Sequence, residues 1–116
     1  MNNRLLKSEI LRRKRDFAQI LGSAKIISSP GFTLRYAQSE KRQLAFLVSH
    51  SVASKAVTRN RIKRHLRETY RTNKDKFLEN YTYVFIARPD AVNLDFGKIK
   101  AQVLNLAEKV QKKALN

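Results

Sequence analysis

The sequence has no cysteine, which excludes disulfides and thiolate-held metals and suits a reducing cytosol. Histidine is almost as scarce: only His50 and His65 occur, and neither has an acid at metal-ligand spacing. The three glycines, Gly22, Gly31 and Gly97, stand too far apart for a Gly-rich phosphate loop. Nine acids face 25 Lys and Arg residues, and they are scattered. No close carboxylate pair offers acid/base or two-metal hydrolysis. Serines cluster at 49, 51 and 54 without a partner base that the sequence identifies. No apolar run approaches the roughly 20 residues of a membrane span. The N-terminal MNNRLLKSEILRRKR is basic but lacks the apolar centre of a secretion signal, and Glu9 and Asp16 set it apart from a transit peptide. The expectation is a chain with no catalytic residue of its own, no protein-held metal and no membrane partner.

What the chain does have is positive charge. Its 116 residues are 42% hydrophobic, enough for a single domain, 1–116, with one core. The net charge is +16 and the pI about 10.7, which implies a polyanionic partner, nucleic acid first and an anionic membrane second. Residues 1–71 carry 17 Lys/Arg against four Asp/Glu, whereas residues 72–116 carry eight against five. The binding surface is therefore expected in the first two thirds.

Residues 55–71, KAVTRNRIKRHLRETYR, concentrate that charge: seven basic residues in seventeen, with Glu68 the one acid. Ile62, Leu66 and Tyr70 recur at helical spacing and share a face, while Asn60, Lys63, Arg64, Arg67 and Arg71 gather opposite. Thr58 is placed to cap this helix. Arg59, Arg61 and Lys63 then oppose the helix dipole, at roughly 0.3–1 kcal/mol each. Lys63, Arg67 and Arg71 repel at i, i+4 spacing, about 0.2–0.5 kcal/mol per pair, with partial relief from Glu68 through Arg64. A phosphate at the helix N-terminus removes both penalties. A solvated charged face is the ordinary alternative, but ordinary charge runs mix signs and this one does not.

Around it, residues 1–22 are expected to form an N-terminal helix capped by Ser8, with Leu11, Phe17, Ile20 and Leu21 as its stripe, Gly22 as its stop and four adjacent cations at 12–15. Ile26 and Ile27 suggest a short strand, and Ser28-Ser29-Pro30-Gly31 a turn. Phe32, Leu34 and Tyr36 alternate with Thr33 and Arg35, the pattern of a strand with one buried face. A polar turn over 38–42 precedes the apolar run 44–48, expected to be a strand buried on both sides. Residues 49–54 form a loop into the basic helix, which is expected to continue towards Glu79 and add Phe77 and Leu78 to the core. Residues 81–87 are β-branched and aromatic, the clearest strand. From Asn93, Phe96, Ile99, Val103, Leu106 and Val110 mark an amphipathic C-terminal helix, with 112–116 frayed. A strand, the basic helix and a strand in succession make a βαβ unit whose strands are parallel. The fold class is α+β, helices on a four-stranded sheet in two layers. On physics alone this is a charge-driven RNA binder, and exposed strand aromatics beside cations suit single-stranded RNA, although most of these aromatics belong to the core.

The stretch Lys55-Ala56-Val57, Arg59-Asn60-Arg61, Lys63-Arg64, Arg67 and Glu68 resembles the RNR motif of the bacterial ribonuclease P protein subunit, with its spacing intact. Asp16-Phe17, Phe32-Thr33-Leu34, residues 44–49 and residues 84–88 add similarity along nearly the whole chain. The resemblance implies the order αβββαβα with a left-handed βαβ crossover, against the usual right-handed rule. It implies the protein subunit of a cytoplasmic ribonucleoprotein that removes the 5′ leader of precursor tRNA, with no obligate protein partner. The RNA subunit is then the catalyst and holds the Mg²⁺, and the protein binds none alone. Lys55, Arg59, Asn60, Arg61, Lys63, Arg64, Arg67 and Arg71 are implied to bind that RNA. Phe17, Leu21, Thr33, Arg35 and His50 are implied to line a cleft for the leader, between the N-terminal helix and the sheet. Three positions depart from the family pattern. Leu21 and Arg35 stand where aromatics are frequent, and His50-Ser51 replaces a Lys-Lys pair; Arg35 can substitute a phosphate contact or a guanidinium stack.

Three other readings remain: a ribosomal-type or general RNA-binding protein, a stand-alone nuclease, and a binder of anionic membranes. If about six to eight phosphates are neutralised, affinity for RNA is expected to fall by about 10³ or more between low and physiological salt. Alanine at Arg59 and Arg61 is expected to weaken binding and flatten that slope, which titration across a salt series measures.

Overall fold

The computed structural model describes residues 9–11, 22 and 24–115. The helix expected over 1–22, with its Ser8 cap, the cations at 12–15, and Phe17 and Leu21, lies outside the described residues. Within them the order is β1 (Lys25–Ser28), β2 (Phe32–Gln38), β3 (Gln43–Leu47), α1 (Ala56–Thr72), β4 (Tyr81–Ala87) and α2 (Phe96–Ala114), with 3-10 turns over Lys74–Lys76 and Pro89–Asn93.

The strands form one mixed sheet in the order β1-β2-β4-β3. β1, β2 and β4 pair antiparallel, while β3 and β4, the two strands joined through α1, pair parallel as the βαβ reading requires. Period-two alternation sends Phe32, Leu34, Tyr36, Leu44, Phe46, Tyr83 and Phe85 to the face that the helices cover. Onto it α1 packs Ile62, Leu66 and Tyr70, and α2 packs Ile99, Val103, Leu106 and Val110, every one of them fully or almost fully buried. Burying each such side chain contributes about 1.5–3 kcal/mol. Phe77 is the hinge of an aromatic cluster, edge-on to Tyr70 and Tyr83 at 5.2 Å each, with Tyr83 stacked on Phe85.

The β1–β2 turn shows why a glycine stands at 31. The Gly31 N–H donates to Gln102 Oε1 on α2 at 2.8 Å, and a Cβ here would come within 2.7 Å of Leu94 Cδ1.

The other face of the sheet carries a smaller cluster: Leu11 buried on Ala45 and Val84, beside Ile86. Ile10 bridges Leu44 in parallel and Leu11 N donates to Leu44 O at 2.8 Å, so residues 9–11 cover the free edge of β3. A buried ionic cluster clamps them there. Glu9 accepts from Lys74 Nζ at 2.8 Å, and Arg42 approaches its second oxygen at 3.6 Å. Arg42 also donates to the carbonyls of Lys74 and Phe77, and both cations lie over the Tyr70 ring.

Several boundaries differ from expectation. Thr58 lies inside α1; its N-cap is Lys55, with no side-chain cap bond. The helix ends at Thr72, short of Glu79, because Asn73 Nδ2 donates back to Thr69 O at 2.9 Å and its backbone leaves the helical region. Phe77 still reaches the core, and Leu78 is half-buried. β3 is buried on both faces except at Leu47, which is 38% exposed. α2 starts at Phe96 because Asp95 accepts from Lys98 N and caps it, and residues 112–114 stay helical.

Two tests follow from this packing. Glu9→Ala removes the carboxylate that neutralises the buried Lys74 ammonium and is expected to destabilise the fold by about 3–5 kcal/mol, with loss of amide-exchange protection at Leu11; urea melts and hydrogen exchange measure both. Burial pushes the Tyr83 phenol up to about 12, although its oxygen accepts the Leu78 N–H at 2.8 Å. A phenol raised in the folded state stabilises the fold below its unfolded value of about 10 and loses that contribution as pH climbs towards 12. Alkaline melts should therefore show stability falling across that window, and less steeply in Tyr83→Phe.

Candidate nucleic-acid interface

Ile62, Leu66 and Tyr70 turn α1 so that Lys55, Asn60, Arg64 and Arg67 are exposed and Lys63 is half-buried on its flank. Among the described residues none of these five side chains has a hydrogen bond or an ion pair, and the first turn of α1 holds no acid. An anion laid along this face would meet unspent donors and the positive end of the helix dipole together.

The one acid of the helix is used differently than expected. Glu68 pairs with Arg71, not Arg64; Arg71 Nε donates to its Oε2 at 3.1 Å. This is the favoured order, with the acid N-terminal to its cation. That hydrogen bond lowers the Glu68 carboxyl and raises the Arg71 guanidinium. Arg71, expected on the RNA face, is therefore half-buried and already engaged.

Arg59 and Arg61 depart further from the expectation that all these cations face RNA. Arg59 Nη1 donates to the carbonyls of Ala53 and Ser54, 2.8 Å each, tying the incoming loop to the first turn. Arg61 reaches the other way, from Nη2 to Val92 O at 2.8 Å and from Nη1 to Leu94 O at 3.2 Å, and fastens the β4–α2 connection to α1. Charged donors on carbonyls contribute about 1.5–3 kcal/mol each. Both arginines are half-buried and set α1 in place while leaving their charge beside the exposed face. Sequence spacing cannot separate such arginines from phosphate-binding ones; for Arg61 the signal is tertiary, in carbonyls more than thirty residues away, and for Arg59 it lies in the path of the loop that enters α1.

Thr33 and Arg35 lie on the outer face of β2, turned away from both helices. The register places Thr33 in a row with Ile86 and Leu47, and Arg35 in a row with Val84 and Ala45 on one side and Ile26 on the other. His50 is exposed in the turn beyond β3, at the end of the sheet that carries the Thr33 row. The structure thus brings Thr33 and Arg35 together, with His50 at their end of the sheet, while Phe17 and Leu21 are outside the described residues.

Among the described residues no group of three or more His, Asp or Glu side chains is placed to hold a metal, and no helix is long and apolar enough to cross a membrane. Sequence reasoning missed one contact on the flank of α1: His65 meets Phe96 of α2 edge to face, ring centroids 5.2 Å apart. Burial first, then the nearby Arg61 and Arg64, hold the His65 imidazole below its usual range, against an opposing pull from Asp95.

The family model described as Ribonuclease P matches residues 5–111. The ribonuclease P protein component of Petrotoga mobilis is 34% identical over 111 residues, covering 90% of this chain and 93% of the relative. That of Dictyoglomus turgidum is 36% identical over 107 residues, covering 89% of each. Among solved structures, the RNase P protein from Thermotoga maritima superposes with a TM-score of 0.79 at 28% identity, over 87% of this chain and 96% of that one. Similar along most of its length in both sequence and fold, the chain belongs to the ribonuclease P family, as a protein component of that RNA-based endoribonuclease.

Proposed function

We propose that α1 lies on the catalytic RNA of ribonuclease P and that the outer face of the sheet guides the single-stranded 5′ leader of precursor tRNA, in the cytoplasm. The observation that carries this reading is the row of donors at Lys55, Asn60, Lys63, Arg64 and Arg67, unengaged among the described residues, on a helix without a side-chain cap or a first-turn acid. Such a row is costly in water and favourable against phosphates, which release counterions as they are neutralised. On the outer face, Arg35 sits with its Nε buried and without a protein partner among the described residues, and Thr33 and His50 provide further polar contacts.

The chemistry then belongs to the RNA. In this reading Mg²⁺ belongs to the RNA subunit. The protein contributes charge: ribozyme and precursor are both polyanions, and a +16 chain beside them lowers their repulsion and hence the divalent ion concentration that cleavage needs.

Reconstitution tests the reading. Precursor tRNA cleavage by a bacterial ribonuclease P RNA at low Mg²⁺ should be faster with this protein, at the mature 5′ end, and absent with protein alone. Tight RNA binding without stimulation would instead indicate a general RNA-binding protein. The two classes of arginine should also separate. Arg64→Ala and Arg67→Ala are expected to lower the log–log salt slope of RNA binding by about one each, with stability unchanged within about 0.5 kcal/mol. Arg61→Ala is expected to cost about 1–3 kcal/mol of stability, because it leaves the Val92 and Leu94 carbonyls without their donor. Salt-dependent binding and urea melts on the same samples distinguish the two.

A further inference from the structure

Where α1 meets the start of α2, Arg64, His65, Glu68 and Phe96 line a shallow pocket of about 330 Å³. Its floor is aromatic. Phe96 is 36% exposed although it opens the apolar stripe of α2, and its one ring contact is with His65. Its rim is cationic and available: Arg64 is exposed and unengaged, while the Glu68 carboxylate is occupied by Arg71. Asp95, whose charge acts on His65, caps α2 by accepting from Lys98 N. Burial and the neighbouring Arg61 and Arg64 lower the His65 imidazole, which disfavours its charged form, and the flat ring stands beside Phe96.

The position of this pocket matters as much as its lining. It continues the exposed face of α1, one helical step around from Asn60, Arg64 and Arg67, towards α2. A strand of RNA on those cations would pass the open side of Phe96. An aromatic floor at the margin of a phosphate-binding face is the arrangement on which unpaired bases stack.

Resting on the proposed function above, we propose that this pocket receives one unpaired nucleobase of the catalytic RNA, stacked on Phe96 beside His65, with Arg64 on the adjoining phosphate. The base requirement is a π face and not a particular edge, because the pocket wall offers few fixed hydrogen-bonding groups. The site anchors one unpaired nucleotide to the protein next to the helix contacts.

The test uses the full chain with a bacterial ribonuclease P RNA. Phe96→Leu keeps an apolar side chain over His65 but removes the ring, and Phe96→Trp keeps a ring. Phe96→Leu is expected to weaken RNA binding by about 5- to 100-fold, the range of one lost base stack, with an unchanged salt slope because no charge is lost. Phe96→Trp should bind as the parent does. Chemical probing should show one unpaired base protected by the parent and Phe96→Trp and reactive with Phe96→Leu. Benzoylphenylalanine placed at position 96 should crosslink to an unpaired nucleotide, a readout that does not depend on Phe96→Leu folding. Parent-like affinity of Phe96→Leu, or crosslinks only to paired RNA, would overturn the pocket and leave the α1 interface standing. A parent protein that does not bind this RNA would remove both.

Discussion

Burial of Ile62, Leu66 and Tyr70 against the sheet decides where each cation of α1 goes. With 3.6 residues per turn, fixing that seam leaves no rotational freedom: Asn60, Arg64 and Arg67 must face outward, while Arg59 and Arg61 fall on opposite flanks. The seam also sets the sheet. α1 joins β3 to β4, and those strands are parallel because the helix carries the chain back across the face before the second strand begins.

A helix with this much charge of one sign would not hold its position by burial alone. The structure offsets the strain by giving two arginines backbone carbonyls from elements on either side, Ala53 and Ser54 before α1, and Val92 and Leu94 after β4. Lys74 and Arg42 follow the same logic around Glu9, where cations turn inward to carboxylate, carbonyl and the Tyr70 ring. The inward-turned cations hold the elements in place, and among the described residues Lys55, Lys63, Arg64 and Arg67 remain unpaired. Uncompensated charge on a fixed frame is what a polyanion can exploit, because no salt bridge has to break before it binds.

Much of this was legible in the residues. Alternation in residues 32–36 and the β-branched, aromatic run over 81–87 identify the strands, the three-four spacing of Ile99, Val103, Leu106 and Val110 identifies α2, and the order of elements requires the parallel pair. The end of α1 was not legible, because it turns on the Asn73 side chain capping Thr69 O, a local competition that a periodic apolar pattern does not record. Nor was the division among the arginines, since Arg61 and Arg64 look alike until carbonyls distant in sequence are brought to one of them. Phe96 fits the apolar stripe of α2, and the pattern does not mark it as exposed. Its exposure depends on α2 starting at the edge of the interface, which only the packing of the two helices reveals.

The placement of the two proposed RNA contacts has its own consequence. α1 lies over one face of the sheet, whereas Thr33 and Arg35 point from the other. Two polyanions placed as proposed, on opposite sides of one cationic chain, would share its field without competing for the same side chains. Each is attracted to the protein while the protein separates it from the other, so the repulsion between them is screened twice, by distance and by charge. A single-faced RNA binder of equal charge could bind either polyanion, but the second would have to displace the first. On that proposal, the two-layer architecture, more than the net charge, is what would let one chain contact a catalyst and its substrate at the same time.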